Sequence, residues 1–213
     1  MLVVDLMTRN VITVTRETPV LEALKIMHEK GFRRLPVVDE DGHPVGVVSH
    51  TSIEHLKPQS GLPMLLQGGH WAAKHTVGDV MNKKVVTVRP TDTVEFATAK
   101  AQAARVGSLL VVEDGKLAGV VTTNDIFYKV VNPTLGIGES GTRVVIVGGG
   151  TGENAERIIA AINRLGVKLK IIWAVYSPTN LKYNLVVHLD TEDARKVVGE
   201  LTRLGYEARI VNR

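Results

Sequence analysis

The feature that most constrains this chain is a repeat. DLMTRNVITVTRETPV (5–20) lines up with DVMNKKVVTVRPTDTV (79–94) at a constant offset, pairing Asp5 with Asp79, Met7 with Met81, Thr13 with Thr87 and Val20 with Val94. After an amphipathic stretch in each copy, RRLPVVDEDGHPVGVVSHTSI (33–53) lines up with GSLLVVEDGKLAGVVTTNDI (107–126), whose turn is one residue shorter. Gly46 then falls on Gly119, Ser49 on Thr122 and Ser52 on Asp125. Each copy reads as a short strand, a helix, two β-branched strands joined by a Gly-containing turn, and a closing helix. A unit of about 50 residues is marginal alone. The two copies are therefore expected to pack face to face about a pseudo-twofold.

These motifs resemble the CBS-domain pair, or Bateman module. The D-[LV]-M openings, the strand LPVVD and G-V-V-[ST]-x-x-[SD]-I carry the resemblance over about residues 1–131. The division it suggests is CBS repeat 1 at 1–56, a linker at 57–75 and CBS repeat 2 at 76–131.

GVVTTNDI (119–126) is the segment richest in chemistry. A strand ending at Val121 and a helix starting within TTND would leave backbone N–H groups pointing outward beside the Thr122 hydroxyl, a setting that attracts phosphate. Asp125 can accept hydrogen bonds from both hydroxyls of a ribose. The plainer alternative is that Thr122 is an N-cap and Asp125 a first-turn acid. The resemblance implies the former: CBS pairs bind adenosine nucleotides in the cleft between repeats with this Asp on the ribose. Thr122, Asn124 and Asp125 are then nucleotide-binding candidates, together with Gly107 and Ser108. Arg33 and Arg34 stand where the second copy has Gly107-Ser108 and could reach a phosphate across the cleft; paired surface arginines need no ligand, so that choice stays open. Ile12, Val86 and Phe32 could wall an adenine or serve as ordinary core. In the first copy, Ser49, Thr51 and Ser52 form a second site that should bind adenosine nucleotides more weakly, accept another ligand or be silent, because the Ser52 hydroxyl cannot clamp a cis-diol as a carboxylate does.

The linker KPQSGLPMLLQGGHWAAKH is broken by Pro58, Gly61, Pro63, Gly68 and Gly69. Its Met64, Leu65, Leu66 and Trp71 are too apolar for a free tether and are expected to pack on the module or on a second copy. His50 and His55, like His70 and His75, are spaced by five, where a helical pair of metal ligands needs four; no metal is expected.

NPTLGIGESGT (132–142) marks a second linker, and residues 143–213 form the last domain. They read β (143–147), helix (153–165), β (167–176), β (182–189), helix (191–204), β (206–211), a ferredoxin-like βαββαβ order. VVIVGGGTGENAERIIAAI within them has the grammar of a dinucleotide-binding turn and fails its test. If Gly148 and Gly150 are the first two glycines, the third falls on Glu153, and no G-K-[ST] follows for a P-loop. The segment instead resembles an ACT domain. That implies a small-effector site at the turn Gly149, Gly150, Thr151, Gly152 and Asn154; glycines serving only close backbone approach are the alternative. Two CBS repeats followed by such a domain is the arrangement of AcuB-type acetoin-utilisation proteins. The expected class is mixed α+β: tandem CBS repeats plus a ferredoxin-like ACT-type domain.

Composition narrows the function. With no cysteine among 213 residues there is no thiolate metal site, disulfide or cysteine nucleophile. No Ser-elbow, H-E-x-x-H or carboxylate pair points to catalysis. The charge excess of +4 lies in residues 141–213, scattered singly without aromatic interleaving, which argues against nucleic acid. No apolar run is long enough for a membrane span, and Asp5 interrupts the short apolar N-terminus, unlike a signal peptide. The expected protein is a cytoplasmic, non-catalytic sensor that binds AMP, ADP, ATP or S-adenosylmethionine as a regulatory ligand. The resemblance further implies a homodimer acting on a target protein that the sequence does not name. A structural interaction module with degenerate sites is the alternative.

Overall fold

The computed structural model describes residues 1–56 and 74–211. Met64, Leu65, Leu66 and Trp71, expected to pack, lie outside the described residues, as does His70. The chain divides into two compact units, Met1–Lys129 and Val130–Arg213.

In the first unit, α1 (Val3–Leu6) is followed by α2 (Val20–Lys30), β1 (Arg34–Val38), β2 (Pro44–Ser49) and α3 (His50–Leu56). The second copy repeats this with α4 (Val77–Val80), β3 (Thr87–Val88), α5 (Val94–Ala104), β4 (Ser108–Glu113), β5 (Lys116–Thr122) and α6 (Thr123–Ile126). α2 buries Val20, Ala23 and Met27, one stripe at helical spacing, and α5 buries Val94, Ala97 and Ala101 in the same way. The β4–β5 turn has Asp114 and Gly115 both at positive φ, the two-residue hairpin that an Asp-Gly pair favours. The short strand expected in each copy is only Thr87–Val88 in the second, pairing in parallel with β4. In the first it shrinks to one parallel bridge, Val14 to Val37.

The sequence reading missed α1 and α4. Each is a single turn, too short to carry a periodic signal, and is held by an Asp reaching back to its N-cap amide. Leu2 N–H donates to Asp5 Oδ2 at 2.8 Å, and Thr76 N–H to Asp79 Oδ2 at 2.9 Å.

These turns hold the repeats together by exchange. Val3 and Val4 amides donate to the Asp92 and Pro90 carbonyls of the second copy (both 2.9 Å), and the Val94 amide donates back to Met1 (3.2 Å). Reciprocally, Val77 and Gly78 donate to Thr18 and Arg16 of the first copy (both 2.8 Å), and Val20 donates to His75 (2.9 Å). Farther along, Thr8 and Val120 exchange two hydrogen bonds, as do Asn82 and Val47. Each bond has its counterpart at the repeat offset, so the pseudo-twofold is written in main-chain hydrogen bonds. Side chains follow: Val77, Val80 and Met81 of the second copy complete the core built on Val20, Met27, Leu35, Val37, Val48 and Ile53 of the first. This explains the aligned glycines. A Cβ on Gly46 would lie 2.6 Å from Met81 Sδ, and one on Gly119 would lie 2.9 Å from both Met7 Sδ and the Thr8 carbonyl oxygen.

After a π-helical turn (Phe127–Val131) come α7 (Asn132–Leu135), β6 (Thr142–Ile146), α8 (Gly152–Arg164), β7 (Leu169–Ser177), β8 (Lys182–Leu189), α9 (Arg195–Arg203) and β9 (Ala208–Val211). The stretch read as a linker, 132–142, thus carries α7 and the first residue of β6. The four strands run in the order β7-β8-β6-β9, all neighbours antiparallel. Ile158, Ala161 and Ile162 of α8 and Val197 and Leu201 of α9 pack with Val144, Ile146, Leu185, Val187 and Leu189 of the sheet.

The second helix of this unit starts at Arg195, not at 191 as the sequence suggested. Thr191 Oγ1 accepts the Asp193 N–H at 3.2 Å, and Asp193 Oδ1 accepts the Arg195 N–H at 2.9 Å, so local side-chain turns delay the helix. The Arg195 side chain and amide also hold the Asp193 carboxyl down to about 2.

Candidate functional site

The end of β5 decides what the second repeat can do. The chain leaves the strand at Thr122, the N-cap of α6, with an extended backbone. Asp125 N–H donates to Thr122 Oγ1 at 3.2 Å; Asp125 Oδ2 accepts the Thr122 N–H at 2.9 Å and lies 2.6 Å from Thr122 Oγ1. The other oxygen, Oδ1, is 2.9 Å from Lys129 Nζ, which also donates to the Leu6 carbonyl at 2.6 Å. The Asp125 side chain is 15% exposed. Burial pushes its carboxyl up, but Lys129 and the Thr122 hydroxyl and amide outweigh that and hold it below the ordinary carboxylate value. An ionised, largely buried acceptor therefore stands at the start of α6.

The basic pair of the first copy separates into two roles. Arg34 crosses to the second repeat: Nη1 donates to Ser108 Oγ at 3.1 Å, and its guanidinium lies 3.4 Å from where a Gly107 Cβ would be. The guanidinium thus lies in van der Waals reach of Gly107. Gly107 in turn accepts the Thr123 N–H at 3.2 Å, so Arg34, Gly107, Ser108 and the Thr122–Asp125 turn form one connected group. Arg33 is exposed, and its carbonyl accepts the His50 N–H at 3.1 Å, the first-copy counterpart of the Thr123–Gly107 bond. Asn124 is exposed beside Asp125. Ile12 is half-buried against the first repeat's core, and the Val86 carbonyl accepts from Leu110 at 3.0 Å alongside β4. Phe32 is 42% exposed just after α2.

In the first copy the corresponding turn closes on itself. Ser49 N–H donates to Ser52 Oγ at 2.9 Å, Ser52 N–H to Ser49 Oγ at 3.1 Å, and Ser52 Oγ–H to the Ser49 carbonyl at 2.9 Å. Thr51 is exposed. This turn keeps the local geometry of the second copy without its charge.

The glycine turn of the second unit is held by its own chain. Gly150 N–H donates to the Tyr183 carbonyl at 2.9 Å, and a Cβ there would sit 2.9 Å from the same oxygen. A Cβ on Gly149 would meet Ile158 Cδ1 at 2.7 Å, and Gly148 has φ +70°. Asn154 Nδ2 donates to the Gly148 carbonyl at 3.1 Å and Oδ1 accepts the Tyr206 hydroxyl at 3.2 Å, while Asn184 Oδ1 accepts the Gly148 N–H. The glycines therefore allow β8 and α8 to approach closely. Thr151 and Gly152 remain exposed at the start of α8. Among the described residues, no three His, Asp or Glu converge as metal ligands, and no helix is long and apolar enough to cross a membrane.

The comparisons decide the family. The CBS domain profile matches residues 3–56 and 77–132, just over half of the chain. The chain belongs to the CBS-domain family. Among solved structures, CBSX2 of Arabidopsis thaliana, determined in complex with AMP, is 29% identical with a TM-score of 0.52, over 62% of this chain and 96% of that one. A Vibrio cholerae protein provisionally assigned to acetoin utilization (AcuB) is 25% identical with a TM-score of 0.53, over 62% of this chain and 91% of that one. Among curated relatives, CBS domain-containing protein CBSCBSPB2 of Arabidopsis thaliana is 30% identical over 63% of this chain and 30% of its own length. L-aspartate semialdehyde sulfurtransferase of Methanocaldococcus jannaschii is 27% identical over 59% of this chain and 22% of its own length. The match thus spans less than a third of these two relatives.

Lys129 is the site residue that sequence reasoning missed. Its spacing of four from Asp125 was visible as a helical ion pair, but its reach to Leu6, 123 residues away, was not.

Proposed function

We propose that this protein is a non-catalytic sensor whose second CBS repeat binds an adenosine nucleotide, with AMP the first candidate. The observation that carries the reading is the connected group of Arg34, Gly107, Ser108, Thr122 and Asp125. In that group an ionised, largely buried carboxylate of the second repeat, suited to a ribose diol, is linked through hydrogen bonds to a guanidinium of the first repeat, suited to phosphate. The AMP-bound CBSX2 neighbour supports AMP as ligand class. Asn124, Ile12, Phe32, Arg33 and Val86 stay as further candidates for the rim and the base. Ser49, Thr51 and Ser52 form a weaker or silent second site.

The division into repeats at 1–56 and 76–131 and a third domain from 143 belongs to the same proposal. For that third domain, the βαββαβ order with sheet order β7-β8-β6-β9 supports a ferredoxin-like, ACT-type fold. Its role would be dimerisation or a second small effector near Thr151 and Gly152, and the assembled protein would be a cytoplasmic homodimer acting on a target protein. Titration calorimetry of the full chain with AMP and with adenosine tests the nucleotide site. AMP should bind the parent and bind Asp125→Ala at least tenfold more weakly; equal affinity for both would overturn the reading.

A second reading, an interaction module with vestigial sites, has one observation in its favour. The Ser49–Ser52 turn satisfies its own hydrogen bonds. Absence of any adenosine-ligand binding would select it.

A further inference from the structure

We propose that Lys129 is a latch on the nucleotide site, a competitor that a cis-diol ligand has to displace from Asp125; this rests on the reading above. Lys129 is shared between two partners that the sequence keeps far apart. It lies 2.9 Å from Asp125 Oδ1 in the second repeat and donates to the Leu6 carbonyl at the end of α1 in the first. Asp125 Oδ2 is already engaged by both the N–H and the hydroxyl of Thr122. A carboxylate oxygen offers about two acceptor positions. Oδ2 is therefore filled, and Oδ1 keeps one position beside Lys129. A ribose presents two hydroxyl donors, so a bidentate clamp needs a position that Lys129 holds. Binding of the diol displaces the ammonium from Oδ1 and loosens its bond to Leu6.

The first repeat supplies the contrast. Ser52 stands at the place of Asp125 and Leu56 at that of Lys129, so carboxylate and ammonium occur together in one copy and are both missing from the other. The latch also sits on the last residue of the first unit, inside the π-helical turn Phe127–Val131. Such turns replace the regular i→i−4 bonding of an α-helix and recur at functional positions. A tie that opens on ligand binding is thus built into the end of the nucleotide-binding unit, while Lys129 itself is 47% exposed and has solvent to move into.

Two measurements on the full chain test the latch separately from the site. The first is ligand-free: a double-mutant cycle of Asp125→Asn and Lys129→Met read by thermal unfolding. The latch predicts that the two losses are less than additive; strict additivity overturns it whatever binds. The second compares AMP with 2′,3′-dideoxy-AMP by calorimetry on parent and Lys129→Met. Removing a half-exposed competitor should tighten AMP about two- to fivefold and leave the dideoxy compound unchanged. Unchanged or weaker AMP binding by Lys129→Met, with the parent binding AMP, overturns the latch and leaves the nucleotide reading standing. AMP binding to neither protein overturns the nucleotide reading and the competition with it.

Discussion

Gly119→Ala should damage the pairing of the two repeats. The new Cβ would lie 2.9 Å from the Thr8 carbonyl oxygen, 2.9 Å from Met7 Sδ and 3.2 Å from Met7 Cγ. A thioether end can swing away, but the carbonyl cannot retreat without stretching the two hydrogen bonds that Thr8 and Val120 exchange at 2.9 and 3.0 Å. Overpacking of this kind costs about 1–3 kcal/mol, and a weakened hydrogen bond about 1 kcal/mol, so a loss of about 2 kcal/mol is expected. In a unit of this size that lowers Tm by roughly 6–8 °C. Differential scanning calorimetry of the full chain measures it, with Gly46→Ala as comparison. There the tight contact is Met81 Sδ at 2.6 Å, and the nearest backbone atom, the Asn82 oxygen, lies at 3.2 Å. Pairing Gly46→Ala with Met81→Ala should therefore erase most of its penalty, whereas Met7→Ala should leave much of the Gly119→Ala penalty in place. A Tm within about 1 °C of the parent for Gly119→Ala, or full rescue by Met7→Ala, would refute the account of how the repeats are joined.

Gly199 lies inside α9 with open space at its Cβ position, so Gly199→Ala should raise stability by about 0.5–1 kcal/mol in a denaturant titration. Arg34→Met should weaken AMP several-fold in calorimetry while leaving adenosine, which has no phosphate, unchanged. Acid should act on α9 through Asp193, whose carboxyl is held at about 2 by Arg195. Because its folded pKa is depressed, its contribution is complete above the unfolded value near pH 4 and is lost as pH falls towards about 2. Carboxyl NMR titration should place the Asp193 midpoint near 2, and a midpoint near 4 would remove the Arg195 contact from the account. Asp125 should likewise titrate below an ordinary aspartate, and less so in Lys129→Met.

What the sequence made legible were features repeated or punctuated along the chain. Asp114-Gly115 announced its hairpin, LPVVD and SLLVV announced β1 and β4, and the β-branched runs after 143 announced the order of four strands and two helices. Thr122 and Asp125 could be picked out because a capping threonine and an acid three residues on are a local pattern. The exchange of α1 and α4 between repeats was not legible, since each is one turn and its partners at 90–94 or 16–20 are remote in sequence. The role of Gly46 and Gly119 stayed hidden for the same reason: the methionines that fill the missing side chains belong to the other copy. The glycine run 148–150 was equivocal in sequence because phosphate cradles and tight strand–helix contacts both need glycine. Its hydrogen bonds to Tyr183 and Asn184 identify the second use. The start of α9 slipped by four residues because Thr191 and Asp193 satisfy local amides before the helix begins.

The most direct test of the nucleotide site is a two-dimensional NMR titration of the full chain with AMP, following backbone amides. The account predicts that Gly107, Ser108 and Thr122–Asp125 shift together along one saturation curve, with the Arg34 side-chain signals, while Ser49–Ser52 stay still. Shifts confined to 148–154 or to Ser49–Ser52, or no shifts at millimolar AMP, would contradict it.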